Sequence, residues 1–202
     1  MNTKNNRKFQ ETDAHICATF LDLLETHDFD NISISLLCQK AGITRATFYS
    51  HFGDMNHFFD AVAQRLFLEL RDEDCANFRK MDSQGELHHA SILSLFEHIL
   101  KYRSFYQVYI TRVSQLPFLS VVATFEHTDS IHQYAVRHGI TSARQANYCA
   151  IFYYTGLTAM IRMWLEDGCP ETPEEMYQLM LFQAKANKNI FEQNCFIFPS
   201  AR

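Results

Sequence analysis

Arg45, Ala46, Thr47, Tyr49, Ser50 and His51 crowd around two phenylalanines, Phe48 and Phe52. On a helix these two rings share one stripe, because four residues advance only about 40° beyond a full turn. The remaining side chains then project away from that stripe. The set holds no nucleophile–base pair, but it suits base edges and phosphates. A guanidinium can pair with guanine, and a threonine methyl can meet a thymine methyl. Tyr49 and His51 suit phosphates better than bases. Arg45 and Ala46 fall at the helix N-terminus, where free N–H groups and the dipole favour an anion. Ala46 is small enough to let the backbone enter a groove.

The elements that must position these groups are legible on either side. Ser33 caps a helix running to Ala41, with Ile34, Leu37 and Cys38 as its buried stripe. Gly42 stops it. Ile43 plugs the turn, and Thr44 caps the next helix, 45–52, which Gly53 ends. Upstream, Ile16, Phe20 and Leu24 repeat at helical spacing in residues 12–26, with Thr12 or Asp13 as cap. Residues 1–10 read as polar and frayed, and Asp28 as a left-handed helix end. Ile16, Phe20, Leu37 and Ile43 are the expected core against Phe48 and Phe52. The whole is a helix-turn-helix, with Ser33, Thr44, Arg45, Ala46, Thr47, Tyr49, Ser50 and His51 as candidate contacts to double-stranded DNA.

Composition supports placed groups over bulk charge. The chain has 202 residues and a formal net charge of −5, which counts against non-specific binding of nucleic acid. Residues 1–52 hold five bases (Lys4, Arg7, Lys8, Lys40, Arg45) against six acids (Glu11, Asp13, Asp22, Glu25, Asp28, Asp30). Apolar residues make up 47%, with 18 Phe and 9 Tyr, too apolar for disorder. Only 6 Gly and 4 Pro interrupt the chain, so an all-α fold of about nine helices is expected. The six Cys form no CxxC pair, and residues 2–10 carry no secretory pattern. Both facts fit the cytoplasm. The most apolar stretch, 148–161, is too short to span a bilayer, so no membrane partner is expected.

After residue 53 the pattern continues as helices. Asp54 caps a long one to about residue 79. A polar break at 81–86 precedes helices near 87–101, 104–115, 117–138, 142–167 and 172–194. Thr172, Pro173 and Glu175 form a start signal of cap, first-turn proline and capping-box acid. The apolar tail 196–198 is expected to dock.

The pattern Phe29, Ser33-Ile34, Leu37-Cys38, Ala41-Gly42-Ile43-Thr44, Thr47-Phe48-Tyr49 and His51-Phe52 resembles the TetR/AcrR family of transcriptional regulators. Trp164-Leu165-Glu166-Asp167-Gly168, followed by Thr172-Pro173-Glu174-Glu175, is similar to a subgroup common in Gram-positive bacteria. The resemblance implies a three-helix reading head (1–53) and a larger ligand-binding and dimerisation body (54–202). It also implies a homodimer that represses genes from a palindromic operator and is released by a small molecule. Two positions depart from the family pattern. Met55-Asn56 stands where many members carry a phosphate-touching lysine, and Asp28 where many carry glycine. Lys4, Arg7 and Lys8 are candidates to compensate for the missing lysine.

In the body, 148–161 is apolar almost all round, which calls for cover on several faces. Helices 142–167 and 172–194 are therefore expected to pair with their copies, with Ala159, Met163, Met180, Leu181 and Ala184 as contacts. Dense aromatics suggest a pocket near Ile99, Tyr106, Tyr109, Val122, Phe125 and Phe152 for an apolar or neutral effector. No cofactor and no metal site is expected. Ten His, including His88, His89 and His98 near Glu86, keep a metal- or haem-sensing regulator as an alternative. A second ExxH, needed for a di-iron carboxylate site, is missing. No hydrolase or nucleotide-binding motif occurs, so no enzyme is expected. A helical protein-interaction adaptor is the other alternative.

Overall fold

The computed structural model describes residues 3–78, 89–112 and 142–192. In order, these residues form α1 (Thr3–Leu24), a 3-10 turn (Phe29–Asn31), α2 (Ile34–Ala41) and α3 (Arg45–Phe52). Then follow α4 (Met55–Phe78), α5 (His89–Lys101), α6 (Arg103–Arg112), α7 (Ala143–Glu166) and α8 (Pro173–Glu192). No strand occurs among the described residues, so the fold is all-α. The break at 81–86, the helix expected over 117–138 and the tail at 196–198 lie outside the described residues.

α1 begins at Thr3, not at Thr12 as expected. Local bonds support the extra turns. Arg7 Nε donates to Glu11 Oε1 at 2.9 Å, one turn on. The Thr12 hydroxyl donates to the Lys8 carbonyl at 2.9 Å, so Thr12 is no cap. The other end also differs from expectation. Thr26 and His27 N–H groups both close on the Leu23 carbonyl, at 3.1 and 2.9 Å. Asp28 is extended (φ −62°, ψ 142°), not left-handed, because it starts the 3-10 turn and does not end α1.

The chain divides into two compact units. The first takes Met1–Glu73 with Tyr102–Val121. Its core joins Ile16 and Phe20 of α1 to Leu37 of α2, Phe48 of α3 and Phe58 of α4, all buried. Phe58 meets Phe20 edge-on at 5.1 Å, Phe48 at 5.4 Å and Phe52 at 4.8 Å between centroids. Each fully buried ring is worth about 1.5–3 kcal/mol of transfer free energy. That burial holds α2 and α3, since helices of eight residues are not stable alone. α6 adds Phe105, whose ring stacks on Phe59 at 4.9 Å. The Arg112 guanidinium lies 4.2 Å from the Phe29 centroid, a cation–π contact. Burial, helped by the nearby Asp60 charge, pushes the Tyr109 hydroxyl up to about 12.

The second unit takes Asp74–Lys101 with Val122–Arg202. Leu95, Phe96, His98 and Ile99 of α5 are buried, as are Ile161, Trp164 and Leu165 of α7 and Met176, Tyr177 and Met180 of α8. Phe96 meets Trp164 edge-on at 5.8 Å, and the indole N–H donates to the Glu171 carbonyl at 3.0 Å. α8 opens as expected. Thr172 N–H donates to Glu175 Oε2 at 2.8 Å, and Glu175 N–H returns to Thr172 Oγ1 at 3.3 Å. The Thr172 N–H holds the Glu175 carboxyl below its usual range.

One apolar face of α7 is exposed. Tyr148, Ile151, Phe152, Thr155, Gly156, Ala159 and Met163 fall at helical spacing and are all exposed. Phe152 is 72% exposed and Met163 67%, and on α8 Phe182 is 66% exposed.

Candidate nucleic-acid interface

The local sequence dictates the geometry of the α2–α3 pair. Ser33 Oγ accepts from the Leu36 N–H at 3.1 Å and satisfies one orphan donor of α2. At the other end Gly42 adopts φ 64°, a conformation that favours glycine, and the Ile43 N–H closes on the Cys38 carbonyl at 3.0 Å. Thr44 then caps α3, its Oγ1 accepting from the Thr47 N–H at 3.1 Å. Gly53, at φ 77°, ends α3. Phe48 is buried and anchors the helix from behind.

Arg45, Ala46, Tyr49 and Ser50 are exposed on the opposite face, beside the half-buried Thr47. Ser33 and Thr44 are exposed too. Arg45 Nη2 donates to the Tyr49 hydroxyl at 3.2 Å, which pre-sets both side chains on one turn of surface. That hydrogen bond holds the guanidinium above its ordinary range, so it is fully charged. Tyr49 is 43% exposed, its ring edge-on to Phe48 at 5.9 Å between centroids and the rest facing water. The Thr44 and Thr47 hydroxyls bond each other at 2.9 Å, and the Ser50 hydroxyl donates to the Thr47 carbonyl at 2.7 Å. The Ser50 hydroxyl and one of the two Thr hydroxyls spend their single proton in these bonds, so Arg45 and Tyr49 are the strongest donors of the face.

His51 stands apart from the set. Its Nδ1 bonds Asp13 Oδ1 of α1, and its ring lies flat on Phe9, centroids 3.8 Å apart at 10°. The side chain is only 7% exposed. Sequence reading placed it beside phosphates, but its contacts run back into α1. Asp13, read as a cap, is its partner. Helical spacing could not show this, because Phe9, Asp13 and His51 meet only in the folded chain.

The start of α4 adds to the missing lysine. Met55 is half-buried and Asn56 exposed. Asp54 Oδ1 accepts from the His57 N–H at 2.9 Å, and Oδ2 pairs with His57 Nδ1 at 2.9 Å. The His57 backbone N–H is the main reason this carboxyl sits below its usual range. A helix start that already carries a carboxylate is a poor seat for a phosphate.

The other candidates fall as follows. Tyr106 and Tyr109 are buried on α6 in the first unit, and Ile99 is buried on α5 in the second. Phe152 is exposed on α7, and Val122 and Phe125 lie outside the described residues. Of the expected pairing residues, Ala159 and Met163 are exposed, Leu181 is half-buried and Met180 is buried. Ala184 lies on α8. Among the described residues no group of three or more His, Cys, Asp or Glu could hold a metal, and no helix is long and apolar enough to cross a membrane. Glu86 and His88 lie outside the described residues.

Comparison with known proteins agrees with this architecture. The family described as "Bacterial regulatory proteins, tetR family" matches residues 16–62. The family described as "Transcriptional regulator C-terminal region" matches residues 88–183. Among solved structures the chain is similar to the dihydroxyacetone kinase operon activator DhaS. The TM-score is 0.63 at 19% identity, over 89% of this chain and 97% of that one. At that identity the likeness speaks for the fold alone. No curated protein matches the sequence. With the helix-turn-helix and the helical body matched separately and in the right order, the chain belongs to the TetR family of DNA-binding transcriptional regulators.

Proposed function

We propose that this regulator is a homodimeric repressor that reads a palindromic operator with α3 and leaves it when a small apolar or neutral effector binds. The observation that carries the reading is the Arg45–Tyr49 pair, exposed on a helix whose opposite face is locked into an aromatic core. Ser33, Thr44, Ala46, Thr47 and Ser50 complete the face, with Ser33 at the N-terminus of α2. Residues 1–53 are the reading head, and 54–202 the ligand-binding and dimerisation body. The exposed stripe of α7, with Phe182 of α8, supports pairing with a second copy. Two copies would set their reading helices about 34–36 Å apart, one turn of duplex. Repression needs nothing beyond occupancy, since a bound dimer excludes polymerase from an overlapping promoter. DhaS is named as an activator, so a reporter assay on the selected site decides the sign of regulation here.

The test starts with selection of duplexes from a randomised pool by the full chain. A two-fold symmetric site is expected. On that site Arg45→Ala weakens binding by about 1–3 kcal/mol, the worth of one good base contact. Tyr49→Phe weakens it less, and sedimentation shows self-association unchanged. Wild-type affinity in both variants removes α3 from the interface. A thermal-shift screen of neutral apolar compounds then seeks the effector. Near-complete release requires a preference for the free state of about 5.5 kcal/mol.

A further inference from the structure

The first turns of α1 are polar and lie far from the aromatic core in sequence, yet they are helical. Phe9 faces His51 ring to ring, and Asp13, four residues on along the same face of α1, holds the other edge of that imidazole. Two residues after Asp13, His15 Nε2 bonds the Ala41 carbonyl at the end of α2, 3.1 Å away. α1 therefore grips both helices of the pair, each near its C-terminus. The grip on α3 answers a mechanical need. Eight residues anchored by one stripe, Phe48 and Phe52, are free to roll about it. The N-terminal end is steadied by the Thr44 cap. His51, in the last turn, is the point at which a lateral hold stops the roll. A carboxylate accepts only, so Nδ1 carries the proton and the ring is fixed in one tautomer.

We infer that Phe9, Asp13 and His51 form a brace that sets the angle of α3, making Phe9 and Asp13 positioning residues for DNA reading. The inference rests on the reading of α3 given above. It also changes the task of the N-terminal segment: with Arg7 paired to Glu11 and Phe9 docked on α3, residues 3–12 support the reading helix and are not a loose basic arm. Loss of the stack frees both partners. α3 gains rotational freedom that DNA must then remove, and the first turns of α1 lose their tertiary anchor.

The full-length chain tests this on the duplex it selects from a randomised pool. Phe9→Ala weakens binding by roughly three- to tenfold, the range set by a lost ring pair. Phe9→Tyr restores it, because stacking survives. Asp13→Ala weakens binding, and Asp13→Asn, which keeps an acceptor, restores much of it. None of the four shifts the dimer–monomer balance. Without DNA, Phe9→Ala moves the His51 ring proton resonances downfield by removing the ring current above them, and speeds amide exchange in residues 8–11. Arg45→Ala on the same duplex separates the two ideas. If Arg45→Ala loses affinity and Phe9→Ala stays within about twofold of wild type, the brace is wrong and the reading helix stands. If neither variant loses affinity, α3 is not the reading helix and the brace falls with it. Unchanged His51 resonances in Phe9→Ala would also overturn it.

Discussion

α1 and α7 are the same kind of object used in opposite ways. They have 22 and 24 residues and each carries an apolar stripe at helical spacing. In α1 the stripe, Ile16, Cys17, Phe20, Leu23 and Leu24, is buried by the chain itself. In α7 the residues Ala146, Leu157, Ile161, Trp164 and Leu165 are buried, but Tyr148, Ile151, Phe152 and Met163 face solvent. The α1 stripe is thus covered, whereas much of the apolar surface of α7 is exposed. An exposed stripe of this size is the mark of an association surface. The contrast separates residues that make the fold from residues that, in the proposed reading, pair two copies.

That contrast can be broken at either end. The largest effect is expected at Phe48, fully buried among Phe52, Phe58 and Tyr49. Phe48→Ala should cost about 3–5 kcal/mol, enough to melt α2 and α3 at temperatures where the other unit survives, seen as a split thermal transition by circular dichroism. Phe152→Glu acts on the opposite class. It should raise the dimer dissociation constant at least about thirtyfold by sedimentation, with the helical signal of the separated chain unchanged. If Phe152→Glu melts the chain and leaves association alone, the division of labour is wrong.

Smaller effects sharpen the picture. Thr44→Ala removes the cap of α3 and should cost about 1 kcal/mol in chemical denaturation. Glu175→Gln should make the acid limb shallower by lowering the neutral plateau slightly. The Glu175 carboxyl is held below its ordinary value of 4.5, so its contribution is present above that pH and lost as pH falls through the lower folded value. The variant should therefore lose this small contribution near neutrality, converge with wild type at low pH, and show a shallower fall in stability through the acid range.

Much of the fold was legible because its signals are local. Ser33, Gly42, Thr44, Gly53, Asp54 and Thr172 each announce a helix end through bonds made within four residues. The exposed Arg45–Tyr49 face followed from Phe48 and Phe52 being one turn apart. What sequence reading missed depends on distant partners. The seat of Phe9 needs His51, the orientation of His51 needs Asp13, and the extended Asp28 belongs to the 3-10 turn that carries Phe29 under Arg112. No periodicity encodes such meetings. The same holds for α7: its pattern announced burial on several faces, and no pattern says whether the cover comes from the same chain.

Gly156 carries one more consequence. It sits mid-helix within the uncovered face of α7, and a Cβ built there would meet nothing within 4 Å. Inside a helix glycine is worse than alanine by about 1 kcal/mol. The lone protomer therefore bears a small handicap at this spot with no local return. A notch with no side chain would let a second backbone come close, as the proposed pairing of two copies through this face would bring. Filling it would strengthen each half and weaken their union, two opposite outcomes from a single methyl group.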